Sequence, residues 1–112
     1  MEITYIGKII SLNQAFSSSW RTLGKKKDEI QGELLCLIRK AEREELDRFK
    51  LEVRYNSRHD ADNIVPLLKL FVDCLRSQKI VKQDTKKFYR GFTVSVDESL
   101  KSNTFVITVV EA

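Results

Sequence analysis

Proline and histidine are nearly missing from this sequence: each occurs once, as Pro66 and His59. Cysteine occurs twice and glycine four times. No Pro/Gly/Ser-rich linker, internal repeat or low-complexity segment divides the chain, so its 112 residues read as one domain, 1–112. Cys36 and Cys74 sit among apolar neighbours in helix-patterned segments, with no CxxC and no Cys/His cluster around them. That excludes zinc-finger spacing, and buried free thiols are expected rather than a disulfide. No apolar run approaches the roughly 20 residues needed to cross a bilayer, so no membrane span is expected. The opening MEITYIGKII carries an acid and alternates like a strand, unlike a signal peptide, which points to the cytoplasm.

What is present is balanced. Hydrophobic residues make up 42% and charged residues 32%, the composition of a globular domain rather than a disordered one. The formal net charge of +4 permits a polyanionic partner without requiring one.

Hydrophobic period gives an α+β fold, a small mixed sheet of about four strands with two helices in the order β-α-β-α-β-β. Ile3 and Tyr5 alternate with Glu2 and Thr4, giving a strand over 2–11. Residues 12–26, with Ser17, Ser18, Ser19 and Gly24, read as a surface loop. Ile30, Leu34, Leu37, Ile38 and Ala41 recur at helical spacing and predict a helix over 27–45. Phe49, Leu51, Val53 and Tyr55 alternate with Lys50, Glu52 and Arg54, which is a strand with one buried face. A second helix, 64–77, carries Ile64, Leu67, Leu68, Phe71 and Leu75 on its core stripe, with Pro66 in the first turn, where a missing N–H costs little. Asp62 or Asn63 would cap it. Strands over 87–96 and 104–111, joined by a polar turn, predict an antiparallel hairpin.

The residues able to do chemistry cluster around the second helix. Asp60-Ala61-Asp62-Asn63 stands at its entrance. Two carboxylates one residue apart converge on a hard cation such as magnesium when the backbone turns between them. The same tetrapeptide also fits an acidic loop ending in an Asx cap. At about 100° per residue, Asp62, Lys69, Asp73 and Arg76 fall near one line, opposite the core stripe. That line is either a solvated face of i, i+4 and i, i+3 ion pairs or a row that turns Lys69 toward the acids. Asp84 follows in a link able to fold back as a third acid.

Two basic groups are candidates for holding phosphate: Lys25, Lys26 and Lys27 with Trp20 and Arg21, and Lys86, Lys87 and Arg90 just after Asp84. Each also fits a solubilising surface. Tyr89 either stacks on a base or packs in its strand. His59, beside Asp60, is a ligand, a proton carrier or incidental.

The stretch RHDADNIVPLLKLFVDCLRSQKIVKQD resembles the central signature of the RusA family of Holliday junction resolvases: an Asp-x-Asp-Asn motif, a lysine, an aspartate on the same helix and a final aspartate after a short link. The matching residues are Asp60, Asp62, Asn63, Lys69, Asp73 and Asp84. The resemblance implies a homodimeric endonuclease that cleaves four-way DNA junctions in recombination and repair, working at the nucleoid. It implies Mg2+ as cofactor, with Mn2+ able to replace it. Asp60, Asp62 and Asp84 would be the metal acids, Lys69 the basic helper at the scissile phosphate, and Asn63 a supporting polar residue on the DNA side. The chain departs from the family's best-known member in a longer gap between Asn63 and Lys69, which includes Pro66, and in His59 where that member has arginine; the family's proline-containing N-terminal segment is reduced to Ser11-Leu12-Asn13-Gln14. A non-catalytic DNA-binding module of the same fold is the alternative, and a partner-binding domain with an ordinary acidic loop is a third reading. Metal-dependent cleavage of a synthetic junction separates them.

Overall fold

Residues 1–17, 20–42 and 45–112 are described in a computed structural model of the chain. Strand β1 (Glu2–Ile6) is followed by helices α1 (Leu12–Ser17) and α2 (Trp20–Lys40) and strand β2 (Phe49–Asn56). A 3-10 helix (Ala61–Ile64) then leads into α3 (Val65–Ser77), and strands β3 (Tyr89–Val96) and β4 (Thr104–Glu111) complete the fold. The class is α+β, as the hydrophobic period predicts.

The four strands form one mixed sheet in the order β1-β4-β2-β3. β4 is antiparallel to both β1 and β2, whereas β3 is parallel to β2. The predicted hairpin of the last two strands therefore does not form: they flank β2 on opposite sides. Burial explains the choice. β4 buries Phe105, Val106, Ile107 and Val109 and takes an interior place, while β3 leaves Phe92 and Val96 exposed at an edge. The connection arches over the end of β2, where Asn56 Nδ2 donates to the Leu100 carbonyl at 2.7 Å and Arg54 pairs with Asp97 at 2.8 Å.

Alternation in β2 works as its sequence requires, with Phe49, Leu51, Val53 and Tyr55 buried and Lys50, Glu52 and Arg54 exposed. Both long helices contribute to one core, α2 through Leu23, Ile30, Leu34 and Ile38. α3 is buried on most of its circumference, at Leu67, Leu68, Leu70, Phe71, Val72, Cys74 and Leu75, which leaves Lys69, Asp73 and Arg76 as a narrow polar stripe.

Of the predicted loop over 12–26, residues 12–17 and 20–26 are instead helical. Ser11 Oγ accepts from the Gln14 N–H at 3.2 Å while Gln14 Oε1 accepts from the Ser11 N–H at 3.0 Å, the reciprocal capping box that starts α1. Lys25, Lys26 and Lys27 consequently lie on α2, which ends at Lys40, short of the predicted boundary. β1 stops at Ile6 because Gly7 adopts φ +155°, and a Cβ there would stand 3.0 Å from Tyr5 Oη. Cys74 is buried as expected, but Cys36 is exposed, since it falls outside the core stripe of α2. Among the described residues, no helix is long and apolar enough to cross a membrane.

Candidate functional site

The site is built on both ends of α3. At its entrance the chain leaves β2 and turns through the 3-10 helix, closed by Asn63 N–H to Asp60 O at 3.0 Å. Neither Asp62 nor Asn63 caps α3: its N-cap is Ile64, with no side-chain bond. Asn63 Oδ1 instead accepts from the Leu12 N–H at 3.1 Å, tying the entrance to the start of α1. That oxygen is engaged within the fold. Pro66 lies in the first turn, as predicted.

Asp60 and Asp62 are exposed and take part in no ion pair among the described residues. Both carboxylates act on Tyr55, whose hydroxyl donates to the His59 carbonyl at 2.8 Å. Burial first, then Asp60 and Asp62, push the Tyr55 hydroxyl above its ordinary value, so it stays protonated and keeps donating. Tyr55 was legible in the sequence as a core residue but not as the group that holds the backbone beside these acids.

At the other end, a Schellman turn sends the chain back along the helix. Ile80 N–H bonds to Leu75 O and Lys79 N–H to Arg76 O, both at 3.0 Å, with Lys79 at φ +59°. Ile80 and Val81 then bury into the core, and the link returns Asp84 to the polar stripe of α3. Lys69 Nζ stands 3.2 Å from Asp84 and 3.4 Å from Asp73, and Arg76 stands 3.5 Å from Asp84. The Lys69 hydrogen bond, its charge and that of Arg76 hold the Asp84 carboxyl below its ordinary value. Asp84 in turn raises the Lys69 ammonium above its own, with Asp73 adding to the effect.

Lys69, Asp73, Arg76 and Asp84 are thus one cluster, and Asp60 and Asp62 are a separate pair at the helix entrance. Among the described residues no group of three or more His, Cys, Asp or Glu side chains is placed to hold a metal ion. The donor chemistry fits a hard cation at Asp60 and Asp62, two oxygen ligands without a competing cationic partner. Asp84 is already neutralised by Lys69 and Arg76.

The basic candidates divide. Lys86 and Lys87 lie in the turn that follows Asp84, and Arg90 lies at the start of β3; Arg90 donates to the Lys86 carbonyl at 3.0 Å and Lys87 lies 5.5 Å from the Phe88 ring centroid. Lys86 and Lys87 are exposed. Tyr89 stacks on Phe49 at 5.0 Å and is a packing residue. Lys25 is exposed, whereas Lys26 and Lys27 are half-buried on α2. The side chains of Trp20 and Arg21 lie outside the described residues. Comparison of the chain with protein-family models, with curated proteins and with solved structures gives no match.

Proposed function

We propose that the protein is a metal-dependent, structure-selective endonuclease that hydrolyses phosphodiesters of four-way DNA junctions. The observation that carries this reading is the return of Asp84 to Lys69 across the Schellman turn. It brings Asp84, in the link after α3, against Lys69 on the helix whose entrance bears Asp60 and Asp62. The resemblance to the RusA signature supplies the roles, and this contact supports placing Lys69 and Asp84 in one site.

In this reading Asp60 and Asp62 would hold Mg2+ or Mn2+, while Asp84, paired with Lys69 and Arg76, would stay outside the ligand set. An ion held there would supply a water of lowered pKa and positive charge to offset that of the phosphate. The Tyr55 hydroxyl fixes the His59 carbonyl and so the approach to Asp60. Lys69 places positive charge beside the scissile phosphate, where it offsets developing negative charge. Asp73 and Asp84 orient its ammonium. Lys86, Lys87 and Arg90 contact flanking phosphates. Two symmetric nicks need two sites, which a two-fold dimer supplies.

A second reading is favoured by one observation: Asp84 is taken up by Lys69 and Arg76 rather than converging with Asp60 and Asp62. It makes the protein a DNA-binding module without turnover. The deciding experiment is incubation with a synthetic four-way junction and Mg2+. Paired nicks that disappear with EDTA support the nuclease, and tight binding without nicks supports the module. Light scattering of the junction complex should give two protein chains; one chain would remove the dimer.

A further inference from the structure

We propose that the cleft between the end of β1, the end of β2 and α2 binds the sugar–phosphate backbone of a nucleic-acid strand through Lys8, Lys26, Arg58 and His59. The cleft has a volume of about 640 Å³, and among the described residues these four are its titratable lining and no Asp or Glu lines it. Lys8, Lys26 and Arg58 make no ion pair among the described residues. This contrasts with Lys69, Arg76, Arg54 and Lys82, each of which has a carboxylate partner. Uncompensated cations converging on one concave surface raise the local potential and attract a polyanion.

The walls of this cleft are fixed from beneath. Tyr5, Phe105 and Tyr55 form a row of rings across β1, β4 and β2, with centroids 6.0 and 5.9 Å apart. Each terminal hydroxyl reaches one wall: Tyr5 Oη donates to the Lys8 carbonyl at 2.7 Å, and Tyr55 Oη to the His59 carbonyl at 2.8 Å. Phe105 itself lines the cleft. The Gly7 N–H bonds to Asn103 O at 3.0 Å, closing a third side. Two of the basic segments are therefore held at their main chain before any ligand arrives, which lowers the ordering cost of binding.

Backbone phosphate is the chemistry this lining recognises. Three permanent cations and an imidazole suit repeated anionic groups, and the open cleft lets a chain run through. Arg58 and His59 directly precede Asp60, so a strand in the cleft leads toward the Asp60–Asp62 pair. That last step rests on the nuclease reading; binding in the cleft does not.

The test is metal-free. Fluorescence anisotropy with EDTA present measures binding of a short mixed-sequence single-stranded DNA, a duplex of the same sequence and a four-way junction across a salt series. The triple variant Lys8→Ala/Lys26→Ala/Arg58→Ala should bind about tenfold more weakly or worse, and its log K against log salt slope for the single strand should shrink by about 2, at roughly 0.7 per phosphate contact. The variant Lys8→Arg/Lys26→Arg/Arg58→Lys, which keeps charge, should retain both. Circular dichroism melts of both variants establish that the fold is kept. An alanine triple with wild-type affinity and slope overturns the proposal. So does a charge-keeping variant that loses as much as the alanine triple, or a wild-type protein that binds none of the three DNAs at low salt. If the wild type binds but never nicks the junction with Mg2+, while the alanine triple still weakens binding, the nuclease reading falls and the cleft stands.

Discussion

Asn63 Oδ1 accepts a hydrogen bond from the Leu12 main-chain N–H at 3.1 Å, joining positions 51 residues apart. The bond connects the 3-10 helix that carries Asp62 to the first residue of α1, so it holds the acidic entrance against the N-terminal part of the fold. Asn63→Ala leaves the Leu12 N–H without its partner. It should lower stability by about 1 kcal/mol in urea unfolding. Asn63→Asp keeps an acceptor oxygen and should lose less. Equal stability of all three proteins would show that the bond contributes nothing.

Lys79 closes the Schellman turn in a left-handed conformation, φ +59°, that costs a side-chain-bearing residue about 1 kcal/mol or more. Lys79→Gly removes that cost without touching the core, and should raise stability by roughly the same amount, less the entropy that glycine returns to the unfolded chain. The check is the urea midpoint at constant m. A lower midpoint would mean the lysine side chain contributes more than its backbone strain costs.

Much of this was legible in the sequence, and the misses have physical reasons. β2, α3 and the placing of Pro66 follow from strict periodicity. The loop expected over 12–26 failed over 12–17 and 20–26, which are helical, because serine content outweighed the Ser11-x-x-Gln14 capping signal, which is local and specific. The expected hairpin failed because a seven-residue polar turn is compatible with pairing or with arching over a neighbour. The dense apolar run of β4 against the polar β3 was the signal for an interior and an edge strand. In the site, helical spacing correctly put Lys69, Asp73 and Arg76 on one stripe. It could not place Asp84, whose return depends on the left-handed turn at Lys79, nor the pairing of Tyr5 and Tyr55 hydroxyls with main-chain carbonyls.

Stability should depend on acid through Asp84. Its folded-state pKa is depressed by Lys69 first and also by Arg76, so its contribution is fully present above the unfolded carboxylate value. It is lost as pH falls below about 4 and through the folded value. The pair is open to solvent, with side-chain exposures of 65% for Lys69 and 24% for Asp84, so the contribution is under about 1 kcal/mol. Urea unfolding at neutral and at acid pH should show a smaller acid loss for Asp84→Asn than for the wild type. An identical loss would assign the acid sensitivity to other carboxylates.

Asp60→Asn and Asp62→Asn should each reduce junction cleavage by about a hundredfold or more, since Asn keeps the shape but removes the charge that holds the cation. Both residues are exposed and take part in no ion pair among the described residues, so melting temperatures should stay near the wild type. Calorimetric titration with Mg2+ in the absence of DNA adds a readout independent of turnover: the heat of binding should vanish in the double variant. Undiminished cleavage by both single variants would leave the nuclease reading without its ligands.

Lys69 decides between a catalytic cluster and a surface ion network. Its ammonium contacts both Asp84 and Asp73, whereas Arg76 reaches Asp84 without contacting Asp73. If the cluster is purely structural, Lys69→Ala and Arg76→Ala should behave alike, each shifting stability by under about 1 kcal/mol and changing nothing else. If Lys69 offsets charge on the scissile phosphate, Lys69→Ala should lower the single-turnover cleavage rate by about a hundredfold, through a step that binding does not share. Arg76→Ala should then stay close to the wild-type rate, because Lys69 still holds Asp84 at its shorter contact. Junction affinity measured without metal keeps the two effects apart, since a lysine used merely for attraction would change affinity and rate together. Equal rates for Lys69→Ala and the wild type, on protein of unchanged fold, would remove Lys69 from the chemistry and leave Asp73 and Asp84 as its ion-pair partners alone.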